Sequence, residues 1–431
     1  MIEKLYQAYL GSRRVTTDSR AITPGCIFFA FKGEHFDGNT FALQALEQGA
    51  AMCVVSDEKY RGNDRCLVVP DVLETLQQLA KYHRKQLTIP IIGITGTNGK
   101  TTTKELVHAV LSRRYRTSAT SGNFNNHLGV PLTLLSIPAD AEIAIVEMGA
   151  NHPGEIEQLC NIADPRYGLI TNVGRAHLEG FGSFEGVVHT KTELYRHLSS
   201  HNGTIFVNAD NERLMQEAQK CVQTEIVTYG NKEGANIRGT YVGSDPYMHL
   251  YFEQGDNVYN VHSNLLGAYN FDNAMAAVCV GMRFGVEPFE IKQAIEEYQP
   301  SNRRSQFKQT EHNCLYLDCY NANPSSMAAA IGTFSELKAD HKMAIIGGMR
   351  ELGTDSAKEH QHLLDMLNEA HLEKVILTGS EFDGLSLPPN MVHFHSTQEV
   401  IDTLRQQPPE GFTILVKGSN GNALWKLEEY L

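Results

Sequence analysis

Short apolar runs of strand length alternate along this chain with stretches of helical periodicity, the pattern of a parallel α/β protein. Residues 1–86 hold the runs "CIFFAFKG" (26–33) and "AAMCVVS" (50–56), with a helical "NTFALQALEQG" between them. A second pattern starts near Pro90. "IPIIGIT" (89–95) reads as a buried β-branched strand, and "KTTTKELVHAVLSRRY" (100–115) as a helix with Leu106, Val107, Val110 and Leu111 on one face. Arg113, Arg114 and Arg116 are expected to complement the negative end of that helix. Strands follow at "EIAIVEM" (142–148), "YGLITNV" (167–173) and "GTIFVNAD" (203–210), and the region closes with the helix "NAMAAVCVGMRFG" and another ending near Tyr298.

Beyond Pro300 four more runs, "CLYLD" (314–318), "MAIIGG" (343–348), "KVILTG" (374–379) and "TILVKG" (413–418), start about 29 to 39 residues apart. That spacing is close to a βαβ unit of roughly 30 residues, so a Rossmann-like domain is expected. Each run ends in Asp, Gly or Lys, on the side where open α/β sheets bind ligands. The fold class is therefore α/β in three domains: a small α/β unit (1–86), a central parallel-sheet domain (87–300) and a C-terminal Rossmann-like domain (301–431).

Composition narrows the functional classes. With 431 residues, 42% hydrophobic and 20% charged, the chain reads as globular and too long for one core. A net charge of −13 argues against coating nucleic acid or anionic lipid, so an anionic ligand has to be held by a few local cations and backbone N–H groups. None of the eight cysteines forms a C-x-x-C pair, which leaves buried free thiols as the expectation. Glu3 and Lys4 interrupt the place of a signal-peptide apolar run, and no apolar stretch reaches 18 residues; a cytoplasmic protein without membrane insertion is expected.

The chemistry centres on "GITGTNGKTT" (93–102), between a strand and a helix start. Gly96 and Gly99 permit close backbone approach, Lys100 offers a point charge to β/γ-phosphates, and Thr101 a hydroxyl of the kind that ligates Mg²⁺. The full G-x-x-x-x-G-K-[ST] pattern fails, because its first glycine is replaced by Ile94. Glu147 ends a neighbouring strand and would project towards the loop, His177 lies in the glycine-rich "TNVGRAHLEGFGS", and Lys191 stands in "HTKTELY".

The ordered set "TGTNGKTT", "GNFNNHLGVP", "VEMGANHPGEI", "TNVGRAHLEGFGS", "HTKTELY", "GAYNFDNAMAA" and "DCYNANPSSM" resembles the Mur ligases, and within them the MurF type. The opening "TTDSRAITPGCIFFAFKGEHFDGNTFALQALEQGA" is similar to the UDP-binding domain of that type, so the resemblance spans nearly the whole chain. These ligases carry T-G-T-N-G-K-T in place of the full phosphate-loop pattern, which accounts for Ile94.

The resemblance implies an ATP-dependent amide ligase that phosphorylates the terminal carboxylate of UDP-N-acetylmuramoyl-tripeptide and joins it to D-alanyl-D-alanine. It implies an ATP cradle of Gly96, Thr97, Asn98, Gly99, Lys100, Thr101 and Thr102, with Asn270 and Asn273 on the adenine side. Arg304 and Asp318 would reach ATP from the third domain, Arg303 being the competing register. Two Mg²⁺ ions are implied, one on Thr101 and Glu147, the second on His177 and a Lys191 carbamylated by CO₂. Asn321 and Asn323 would lie near the reacting phosphate and dipeptide. Ser19, Arg20 and Lys32, with Asn125 and Asn126, would bind the UDP-sugar. No nucleic acid partner is implied, and a monomer is expected.

Two departures fall in the third domain. Many MurF-type chains read G-D-M-x-E-L-G where this one has "GGMRELG", leaving Gly348 at the acidic position. Asn420 stands in "KGSNGNAL" where an arginine is common. Three alternatives stay open: a MurE-type ligase, a folylpolyglutamate synthase, or an NTPase without ligase activity. The first would show D-N-P-[RA], which is absent; the second would lack the opening UDP block; the third gives no reason for Glu147, His177 and Lys191 together.

Overall fold

The computed structural model describes residues 1–300 and 303–431, so the expected boundary at 300/301 and the first two residues of "SNRRSQF" lie outside the described residues. Three sheets organise the chain. The first has four parallel strands in the order Val15–Thr16, Ile27–Phe29, Met52–Val55, Cys66–Val68. Its helix Val72–Gln86 is started by Asp71, whose carboxylate accepts the Glu74 N–H and so satisfies one free donor of the first turn. At the other end of that helix the buried Arg84 donates to the carbonyls of Ala163 and Asp164, tying the first unit to the second.

The central sheet has nine strands. Thr117–Ala119, Ile143–Glu147, Ile91–Thr95, Tyr167–Ile170, Thr204–Asn208, Glu225–Gly230 and Ile237–Ser244 run parallel, in spatial order from one edge. Strand Ile91–Thr95 is buried along its whole length, which is why it reads as a continuous apolar run. The remaining strands, Tyr247–Gln254 and Asn257–Leu266, extend the sheet antiparallel. Sequence analysis did not anticipate this extension: Tyr247–Gln254 alternates half-buried and buried positions, a two-residue period rather than an apolar block.

The third sheet runs Gln306–Gln309, Cys314–Asp318, Thr413–Lys417, Lys342–Gly347, Lys374–Thr378, Met391–Phe394; the first strand is antiparallel and the rest are parallel. The four anticipated runs are four of its strands, and the two additions are short edge strands.

Two local expectations are corrected. The helix from Lys100 ends at Leu111, not 115. The arginines after it serve other partners: Arg113 pairs with Glu297, Arg114 donates to the Gly285 carbonyl, and Arg116 meets Asp140 and Glu142. All eight cysteines are free, six of them buried. Among the described residues no helix is long and apolar enough to cross a membrane.

Candidate functional site

The loop after strand Ile91–Thr95 turns on two glycines with positive φ, Gly96 (145°) and Gly99 (77°), the second capping helix Lys100–Leu111. A Cβ on Gly99 would overlap the Asn273 side-chain oxygen, so close packing as well as φ demands glycine there. Lys100 folds back over the loop, its Nζ donating to the carbonyls of Gly96 (2.8 Å) and Thr97 (3.1 Å). Burial pushes its pKa down; Glu147 opposes that shift and Arg304 adds to it. Asn98 is clamped from both sides, its N–H donating to Asn172 Oδ1 and its carbonyl accepting from Thr171 Oγ1 and Asn172 Nδ2.

Glu147, at the C-terminal end of its strand and 1% exposed, is divided between two partners. Thr101 Oγ1 donates to one oxygen (2.9 Å) and Asn125 Nδ2 to the other (2.8 Å). A buried carboxylate beside a hydroxyl is a hard-oxygen donor pair of the kind Mg²⁺ takes, so these residues fit that ion.

Across from the loop, Asn273 Nδ2 donates to Asn270 Oδ1, and Thr103 Oγ1 donates to Asn273 Oδ1. These bonds fix both carboxamides on the first turn of helix Asn270–Arg283. The third domain closes the remaining wall. Arg304 lays its guanidinium over the Tyr320 ring, 3.7 Å from the centroid, and its buried Nε has no hydrogen-bond partner. Arg303 turns elsewhere, over Trp425, which resolves which of the two arginines faces the cavity. Asp318 is met by Lys417 Nζ at 2.5 Å, and the Asn321 carbonyl lies 3.4 Å from the same ammonium. Asn323 caps helix Pro324–Glu336 and donates to Asn98 Oδ1 across the domain boundary (2.8 Å). Together these elements enclose a cavity of about 600 Å³, lined by Gly99, Lys100, Thr101, Thr102, Glu147, Asn270, Asn273, Arg304, Asp318, Asn321 and Lys417 among others.

His177 lines the same cavity, with a positive φ of 51°, and its Nδ1 pairs with Glu351 of the third domain. Burial lowers its pKa, with Glu351 acting against the shift. Lys191 sits just behind the wall. It is 2% exposed, with Nζ 3.4 Å from the carbonyl of the cavity residue Ala150 and 5.5 Å from the Phe181 ring centroid. Burial first, then the nearby Lys100 charge, holds its pKa well below the usual lysine value, while Glu155 and Glu193 pull the other way.

Ser19, Arg20 and Lys32 are not brought to this cavity. Arg20 is exposed and engages Asp18 through two nitrogens; Lys32 faces Asp37 at 3.8 Å. Asn126 reaches the rim, but its side-chain oxygen accepts the N–H groups of Leu128 and Gly129.

Three family models cover the chain: the Mur ligase family catalytic domain at residues 13–84, the Mur ligase middle domain at 94–281 and the Mur ligase glutamate ligase domain at 303–420. A UDP-N-acetylmuramoyl-tripeptide–D-alanyl-D-alanine ligase of Bacillus subtilis (strain 168) is 34% identical, covering 96% of this chain and 91% of its own. The chain belongs to the Mur ligase family. Within it the likeness is to the MurF type. The crystal structure of MurF from Acinetobacter baumannii superposes with a TM-score of 0.84 at 31% identity, over 96% of this chain and 92% of that one. A MurF ligase from Thermotoga maritima, solved in complex with ADP, gives 0.85 at 27% identity over 97% of both chains.

Against that family pattern the two departures acquire a structural context. A Cβ at Gly348 would overlap the carboxylate of Glu381, which arrives from the turn after strand Lys374–Thr378. A Cβ at Gly421 would overlap the guanidinium of Arg350, beside the Asn420 position. Glycine at 348 and 421 thus leaves room for an acid and a base delivered from other parts of the third domain. Sequence analysis missed Glu381, Arg350, Glu351 and Lys417. Lys417 had a signal as the residue ending the run "TILVK", and Arg350 and Glu351 stood in the quoted "GGMRELG", Glu351 at that pattern's glutamate; Glu381 had none.

Proposed function

We propose that the chain joins D-alanyl-D-alanine to UDP-N-acetylmuramoyl-tripeptide with cleavage of ATP to ADP and phosphate, yielding the pentapeptide precursor of peptidoglycan. The observation carrying this reading is the single cavity that sets the phosphate loop and Glu147 opposite Arg304, Asp318 and Lys417 of another domain. In the first step a carboxylate oxygen of the tripeptide bonds to the γ-phosphorus and the bond to ADP breaks. In the second, the dipeptide amine bonds to the acyl carbon, loses a proton, and inorganic phosphate leaves. Lys100 and Arg304 bring positive charge to the transferring phosphoryl group, where stabilisation of spreading charge does most of the catalytic work. Asp318, with its charge balanced by Lys417, faces the nucleotide sugar, and Asn270 and Asn273 face the base.

Thr101 and Glu147 would hold Mg²⁺, which when bound supplies positive charge between the phosphates. A second ion near His177 fits the donor set only if Lys191 carries a carbamate: Nζ bonds to the carbon of CO₂ and releases a proton, turning a repelling cation into an oxygen ligand. Ser19, Arg20, Lys32, Asn125 and Asn126 would contribute to UDP-sugar binding, with Asn125 also orienting Glu147. Asn321 and Asn323 border the dipeptide side.

Mass spectrometry of the products formed from ATP, Mg²⁺, D-Ala-D-Ala and each UDP-linked tripeptide tests the reading. An added dipeptide mass is expected, whereas phosphate release without amide formation would favour an NTPase.

For the dipeptide side, Glu381 is the acid that replaces the one absent at 348. Glu381→Ala is expected to raise the D-Ala-D-Ala KM by about 10- to 100-fold, the range for losing a charge-assisted hydrogen bond. Gly348→Asp alone sets two carboxylates against each other and should also impair binding. The pair Gly348→Asp/Glu381→Ala should recover much of the loss. A double variant no better than either single one would reject the replacement.

A further inference from the structure

At the N-terminal end of the central parallel strands, opposite the end that carries the phosphate loop, Asp164, His197 and His201 converge, each offering a ligand atom within 4.8 Å of the others. Asp164 follows helix Glu155–Ala163 and precedes strand Tyr167–Ile170; the two histidines lie four residues apart, at the end of helix Glu193–Ser200. That spacing puts both rings on one helix face, and they stack with centroids 4.2 Å apart.

Each histidine is prepared for a ligand. His201 Nδ1 is bonded to the His197 carbonyl (2.8 Å) and to Ser200 Oγ (3.0 Å). A proton on Nδ1 directed at that carbonyl leaves Nε2 as the free lone pair, the arrangement by which backbone carbonyls orient metal-binding imidazoles. His197 is 8% exposed, and its buried Nε2 has no hydrogen-bond partner. Its nearest acceptor, Asp164 Oδ1, lies 3.6 Å away, too far for a hydrogen bond. Burial holds this imidazole neutral, with a pKa lowered to about 4.

The surrounding charges are mixed. Arg84 lies 3.9 Å from Asp164 Oδ2, the oxygen turned away from His197, and Arg166 donates to the His201 carbonyl. Both oppose an added cation. The C-terminal ends of two helices meet at the site and favour one. A second group, Asp383, His393 and His395, has similar composition, but there His395 Nδ1 already meets Asp383 at 3.1 Å and no buried nitrogen is orphaned among the described residues.

We propose that Asp164, His197 and His201 form a binding site for a borderline divalent transition ion of the Zn²⁺ class, separate from the nucleotide cavity. Two imidazoles and a carboxylate suit Zn²⁺, Ni²⁺ or Cu²⁺ far better than Mg²⁺. The ion would staple the turn after helix Glu155–Ala163 to helix Glu193–Ser200, beside the Arg84 contact that joins the first domain.

The test is equilibrium dialysis and thermal unfolding of the full chain, stripped with a chelator and then titrated with ZnSO₄ or MgCl₂. Wild type is expected to bind one Zn²⁺ and to show a raised Tm that Mg²⁺ does not reproduce. His201→Ala, at an exposed position, should weaken binding at least 10-fold and remove the Tm shift, as should Asp164→Asn. The double variant Asp383→Asn/His395→Ala should behave as wild type. Stoichiometric binding unaffected by His201→Ala, loss only in the Asp383/His395 variant, or weak binding equal in all chains, an adventitious ion only, would each overturn the site.

Discussion

Replacing Lys100 by alanine is expected to lower ATP-dependent ligation by about 10²–10³-fold or more, the range for deleting one preorganised charge-stabilising donor, while leaving the fold intact. Among the described residues the ammonium makes two bonds, to the carbonyls of Gly96 and Thr97, and Lys100 and Thr97 both border the cavity. The apolar core under the helix, formed by Leu106, Val107, Val110 and Leu111, does not involve the side chain. What is lost is the positive charge in the phosphate loop, and Arg304 on the opposite wall cannot occupy that position from its stack on Tyr320. ADP release and amide formation should fall together, with an unfolding transition near that of wild type. Near-normal ligation by a folded variant would remove Lys100 from the phosphate site.

The parts of this site that were legible in the sequence are those encoded locally. The strand Ile91–Thr95, the loop and the helix from Lys100 are continuous in the chain, so apolar periodicity and glycine placement suffice to locate them. Glu147 was readable because a strand end next to a phosphate loop restricts where a side chain can point. The antiparallel extension at 247–266 was not, since its first strand, Tyr247–Gln254, alternates half-buried and buried positions and offers no apolar block. Contacts over long separations left no trace either: Glu351 meets His177 where the ends of strands from two different sheets face each other, and Glu381 fills the space at Gly348 because two neighbouring strands of the third sheet end side by side. For Ser19, Arg20 and Lys32 the motif could be quoted, but their relation to the cavity depends on how a separate domain is placed.

Lys191 carries the second large effect, because its environment makes an unmodified ammonium costly. Only 2% exposed, the amine is held well below its usual pKa by burial and then by the nearby Lys100 charge, both of which favour loss of its proton. A neutral amine is the form that attacks CO₂. A carbamate formed there would reverse the sign of the charge, so that Lys100 would attract the group, and would present oxygen atoms of the type Mg²⁺ prefers. Lys191→Ala should lose most activity, by about 10²-fold or more if it removes an electrostatic group from the reacting centre. Acetate, small enough to enter the vacated space, should restore part of it. Lys191→Arg should remain inactive, since it keeps a charge in the same buried place and forms no carbamate. Ligation would be assayed for the three proteins after degassing and again after bicarbonate is returned, with intact-protein mass spectrometry under non-acidic conditions to seek the added CO₂ on wild type. Full activity of Lys191→Arg would make the residue an ordinary cation. Wild-type activity in protein shown by mass to lack the added CO₂ would leave the carbamate without a role, and the second ion near His177 would then need a different ligand.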